Sequence, residues 1–99
     1  MGNERFRPQR LGEKLRDIRL ALGLSQSEMV KRLGFEDEIW YTQISGYELG
    51  RRDPPLTILL QYARAANVVA DVLIDDELDL PAKLPSATKH AGVRRRRTR

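Results

Sequence analysis

Apolar residues recur along this chain at helical spacing. Leu11, Leu15, Ile18 and Leu22 step by four, three and four, which lines one face of a helix starting at about Arg10. Gly23 follows and suits the left-handed position that ends a helix. Ser25 opens a second helix with Glu28 three residues on, a spacing at which each side chain satisfies the other's free backbone N–H. Met29, Val30 and Leu33 supply its inner face, and Gly34 closes it.

Phe35–Ile39 places three acidic residues between two apolar ones and reads as a turn with room for a single helical turn. A third helix is expected from near Trp40 to about Leu49, with Ile44 and Glu48 on one face and Tyr41 and Ser45 on another. Gly46 inside it costs roughly 1 kcal/mol relative to alanine, which points to a close approach of something to the backbone there. Gly50 is a stop. Asp53-Pro54-Pro55 starts a fourth helix with proline in the first turn, where its missing N–H is not needed. Leu56, Leu59, Leu60, Ala63 and Ala66 give the expected inner face, and Asn67 the left-handed end. A short fifth helix is expected over about Val69 to Ile74. The pattern predicts an all-α, compact five-helix domain over residues 10–80, between a flexible arm at 1–9 and a disordered basic tail at 81–99.

Charge changes the picture by its placement. The net charge is +4, but residues 10–80 hold nine basic and thirteen acidic side chains, while 81–99 hold seven basic and no acidic ones. Overall basicity is therefore weak evidence for a nucleic-acid partner, and local placement has to carry that reading. With no cysteine, disulfides and thiolate metal sites are excluded. No apolar run approaches the ~20 residues of a membrane span, and Asn3, Glu4, Arg5 and Arg7 do not resemble a secretory signal. A cytoplasmic location is expected.

The order LSQSEMVKRLG (24–34), ISGYELGRRDPP (44–55) and then a leucine-rich helix resembles the phage-repressor and Cro type of helix-turn-helix DNA-binding domain, the XRE class. The resemblance spans roughly Leu11 to Ile74. It implies that helices two and three form the helix-turn-helix and that Gln26 contacts a DNA phosphate and braces helix three. It also implies that Ile44 anchors helix three, that Glu48 pairs with Arg19, and that Gly50 to Asp53 follow the phosphate backbone. Tyr41, Thr42, Ser45 and Gly46 match positions that face base edges in the major groove. Two features depart from the family pattern. The turn before helix three is a few residues longer than in the shortest members, which affects the register of Trp40 to Thr42. Val30 also replaces the small alanine usual at the helix crossing.

Physical chemistry supports the same surface. A helix fits the major groove, where the hydroxyls of Thr42 and Ser45 can donate or accept and Gln43, turned outward, can pair with adenine. Arg51 and Arg52 are candidate phosphate contacts, which position without reading sequence; Gln26, as the resemblance implies, and Trp40 are grouped with them. The bland alternatives are solvated helix residues for Thr42, Gln43 and Ser45, and a solvated loop for Arg51-Arg52. Trp40 and Tyr47 are expected in the core rather than stacked on bases, and Tyr62 in the core or at a dimer surface. Arg94–Arg97 could add nonspecific affinity, remain solvated, or fold back on Asp75-Asp76-Glu77.

An enzyme is not expected. The single histidine, His90, lies in the tail, no Gly-rich phosphate loop occurs, and Glu36-Asp37-Glu38 lacks metal-cage spacing. No cofactor, metal or small-molecule site is expected. The reading is a sequence-specific, duplex-DNA-binding transcription regulator, a repressor. It is expected to act as a homodimer on a palindromic operator with half-sites about one helical turn apart, using Val68–Leu80 as the candidate dimer surface. The alternative is a protein-interaction adaptor of the same fold, antitoxin-like or coactivator-like, favoured by the acidic stretch Asp71–Asp79.

Overall fold

Four of the helices follow closely from their end signals. In the computed structural model, which describes residues 7–85, the order is α1 Leu11–Ala21, α2 Gln26–Leu33, α3 Tyr41–Glu48, α4 Leu56–Ala66 and α5 Ala70–Ile74. No strand occurs among the described residues. The expected capping box of α2 is present: Ser25 Oγ accepts from Glu28 N at 3.0 Å, and Ser25 N donates to Glu28 Oε1 at 2.8 Å. Gly23 and Gly34 end α1 and α2, and Asn67 ends α4 in the left-handed region at φ 60. Phe35–Ile39 is a turn in which Glu38 N and Ile39 N both donate to Phe35 O.

The core gathers Leu11, Leu15 and Ile18 of α1, Met29, Val30 and Leu33 of α2, and Ile44 and Tyr47 of α3, with α4 and Leu73 of α5 closing the other side. α3 packs on α1 and α2, α4 on α2 and α5, and α5 on α1. Gly12 permits the α1–α3 approach: a Cβ there would lie 2.6 Å from Glu48 O and 2.9 Å from Tyr47 O. Nothing in the local pattern of α1 signals that contact.

Three expectations are corrected. Trp40 is not in the core; it precedes α3 as its N-cap and is 74 % exposed, whereas Tyr47 is buried. The prolines do not enter the first turn of α4, because Pro55 is the N-cap and Leu56 the first helical residue. The inner face of α4 is Ile58, Leu59, Tyr62, Ala63 and Ala66, while Leu56 and Leu60 point outward. Thr57, Gln61 and Arg64, spaced by four and three, form the polar stripe opposite this face, and Leu56 and Leu60 lie on its flank. Ile58 and the fully buried Tyr62 take their place, which turns the inner face by roughly 60° from the expected one. Burial pushes the Tyr62 phenol up and keeps it neutral; its hydroxyl has no hydrogen-bond partner among the described residues.

Lys14 is the unexpected core member. It is 2 % exposed, on the same face of α1 as Leu11 and Ile18. Its Nζ donates to the carbonyls of Val72, Asp75 and Leu78 at 2.8, 2.9 and 2.7 Å. Those three bonds match the three donors of an ammonium and hold α5 and the segment after it against α1. Asp76 completes the junction by capping the start of α1 from outside, accepting from Gln9 N at 2.8 Å and Arg10 N at 3.0 Å. These two N–H donors hold its carboxyl below the usual carboxylate range. Arg10 Nη2 reaches Asp79 at 2.6 Å, and Arg7 pairs with Asp53 at 2.7 Å. The expectations for residues 1–6 and for 86–99, including His90 and Arg94–Arg97, lie outside the described residues.

Candidate nucleic-acid interface

α3 is held by a polar clamp at its C-terminal end. Glu48 Oε2 accepts from Arg19 Nε at 2.6 Å and Oε1 from Arg19 Nη2 at 3.0 Å, while Arg19 Nη1 donates to Leu24 O at 3.0 Å. Gln26 Nε2 adds a contact to Glu48 Oε1 at 3.3 Å. One carboxylate thus ties the end of α1, the start of α2 and the end of α3. The side chains of Arg19 and Glu48 are only 12 % and 4 % exposed, so the carboxylate strongly favours the charged guanidinium and pushes Arg19 further up. A desolvated pair of this kind adds little net stability but fixes geometry, and losing one partner is costly. With Ile44 fully buried below it, the clamp sets which face of α3 looks outward.

That outward face carries most of the expected groove-facing residues. Tyr41, Thr42, Ser45 and Gly46 line one open depression of about 410 Å³ together with Gln26, Arg51 and Arg52. Tyr41 and Thr42 are exposed and Ser45 is half-buried at the rim. Two expected residues are placed differently. Gln43 is turned back along the helix, its Oε1 accepting from Trp40 N at 3.2 Å, so it supports the first turn of α3. Trp40 is exposed at the N-terminal end of α3 but does not line the depression.

The loop after α3 is folded back rather than leading away. Gly50, at φ 76, takes the left-handed conformation that a side chain disfavours. The chain then reverses so that Arg51 N and Arg52 N both donate to Gly46 O, at 2.9 and 3.4 Å. The close approach expected at Gly46 is made by Arg52, whose Cγ, Cδ and Nε lie 3.0, 3.3 and 3.3 Å from the place of a Cβ. Among the described residues neither Arg51 nor Arg52 has an ion pair or a side-chain hydrogen bond.

A family model described as a helix-turn-helix domain matches residues 10–76. The chain belongs to that family. In this helix-turn-helix domain α2 and α3 are the paired helices, and the clamp and the depression both fall within the matched residues. No curated protein matches the chain. Among the described residues of the domain, no group of His, Cys, Asp and Glu could hold a metal ion, and no helix is long and apolar enough to cross a membrane.

Proposed function

We propose that this protein is a sequence-specific transcription regulator of the phage-repressor and Cro type, binding duplex DNA with the outward face of α3 in the major groove. The observation that carries the reading is the grouping of Tyr41, Thr42 and Ser45 with Arg51 and Arg52 around one open face of a helix clamped from behind. Exposed hydroxyls can meet base edges, and guanidinium groups beside them, with no ion pair among the described residues, can meet phosphate or base edges. Gln26, at the first turn of α2, is placed where backbone N–H groups and the positive helix end favour a phosphate. The Trp40 indole N–H, at the N-terminal edge of the same face, is a further phosphate donor.

Repression by a homodimer on a palindromic operator fits a domain of this size with no further effector region in residues 7–85. Exposed Val69, Ile74 and Leu78, within the 68–80 region, are the apolar groups available for self-association. A cytoplasmic location goes with this role. The adaptor alternative is weaker, because Asp75, Asp76 and Asp79 of its acidic stretch are engaged within the domain.

Selection of bound duplexes from a random pool by the full chain tests the proposal. A palindromic motif with half-sites about one helical turn apart is expected. Recovery of sequences no different from the starting pool would reject sequence-specific binding.

A further inference from the structure

Gly46 poses a problem for the interface described above. It occupies an outward position in the middle of α3, where a base-reading side chain would project, and it has none. The space is not empty, because the aliphatic stem of Arg52 lies across it, with Cγ 3.0 Å and Nε 3.3 Å from the place of the missing Cβ, closer than a side chain there would ordinarily allow. Two features hold the stem there. Gly50 reverses the chain, and Gly46 O anchors the backbone N–H groups of both Arg51 and Arg52. The neighbouring carboxylate of Asp53 does not draw the guanidinium away, since it is paired with Arg7 at 2.7 Å. Arg52 is left with a charged, planar fork that has no polar partner among the described residues and lines the same depression as Thr42 and Ser45.

We infer that Arg52 is a specificity-determining residue: it supplies from the loop the base-reading group that Gly46 lacks, and it recognises a guanine through O6 and N7. The fork geometry of a guanidinium matches those two acceptors, and no other base offers the same pair in the major groove. Arg51 differs. Its backbone closes the end of α3, and its side chain lines the depression without being among the atoms nearest the place of a Gly46 Cβ, which suits a phosphate contact. The two adjacent arginines therefore have different tasks, and Gly46 is what separates them. This inference rests on the reading of α3 as the groove-facing helix.

The test uses the full chain and the duplex that it selects from a random pool. Wild type should require guanine at one position of each half-site. Arg52→Ala should reduce that preference by roughly tenfold or more while the other positions keep theirs. Arg52→Lys should retain the salt dependence of binding and only part of the guanine preference, because an ammonium can reach O6 and N7 but lacks the rigid planar fork that fits both at once. Gly46→Ala provides an independent check. It should raise the melting temperature, since alanine favours a helix interior, yet weaken the preference at the same guanine by displacing the Arg52 stem.

If Arg52→Ala instead weakened binding to all duplexes equally and lowered the salt slope by about one, Arg52 would be a phosphate contact and the inference would be wrong. The reading of α3 would survive that result. If wild type selected no motif at all, both would fall.

Discussion

At the α1–α5 end of the domain, Arg10, Lys14, Asp76 and Asp79 are bound to one another or to backbone groups of the same chain. At the α3 end, Arg51 and Arg52 have no polar side-chain partner among the described residues and stand beside exposed hydroxyls. Both ends are rich in charge, and the sequence gives no sign of which charges are consumed by the fold. The acidic stretch from Asp71 to Asp79 looked like a surface for a protein partner, but much of it closes the domain on itself. A charge that is satisfied internally shapes architecture; one held out by packing, as Arg52 is by Gly46, is available to something else.

The comparison can be broken most severely from behind α3. Glu48→Ala strands the Arg19 guanidinium in a nearly buried site and should cost about 3–5 kcal/mol of stability, measured by denaturant unfolding. At the other end, Lys14→Met keeps the stem but leaves three carbonyls without their donor. It should cost about 3 kcal/mol, a fall of roughly 10 °C or more in melting temperature. The protein that remains folded should keep its duplex preference. An altered preference in Lys14→Met would mean that the two ends are not independent.

Smaller effects sharpen the contrast. Thr42→Ala or Ser45→Ala should change stability by less than about 0.5 kcal/mol and yet cost about 1 kcal/mol on the preferred duplex by relaxing one base position. Arg51→Ala should weaken binding to all duplexes alike and lower the salt slope by about one. Titrations at several salt concentrations distinguish these two kinds of change.

The smallest effect is one of pH. Backbone N–H groups depress the carboxyls of Asp76 and Glu28 in the folded chain. Their contribution is complete above the ordinary carboxylate range and is lost as pH falls through that range and below it. Melting temperature should therefore drop with acid, and Asp76→Asn should flatten that drop. An unchanged acid profile would show that Asp76 does not hold the start of α1.

Much of the fold was legible because its signals are local. The spacing of Leu11, Leu15 and Ile18, the Ser25–Glu28 box, and Gly23, Gly34 and Asn67 at helix ends each depend on neighbours within one turn. What the sequence hid depends on distant partners. Lys14 lies on the apolar stripe of α1, a position that could have flagged it, but its carbonyl partners come from residues 72–78. Gly12 meets Glu48, far along the chain. Trp40 is apolar yet falls just outside α3, where no core surface faces it. For the candidate interface, the residue types were legible and their division of labour was not. Gln43 serves the helix start, and Arg52 folds back over a glycine six residues earlier.

The most direct test is an amide chemical-shift titration of the full chain with its selected duplex. Perturbations should concentrate on Gln26, on residues 40–46 and on Arg51 and Arg52, leaving Arg10 to Lys14 and the 71–79 stretch unmoved at the first equivalents. Perturbations centred on residues 71–79, with the outward face of α3 unaffected, would contradict the claim that this helix meets DNA.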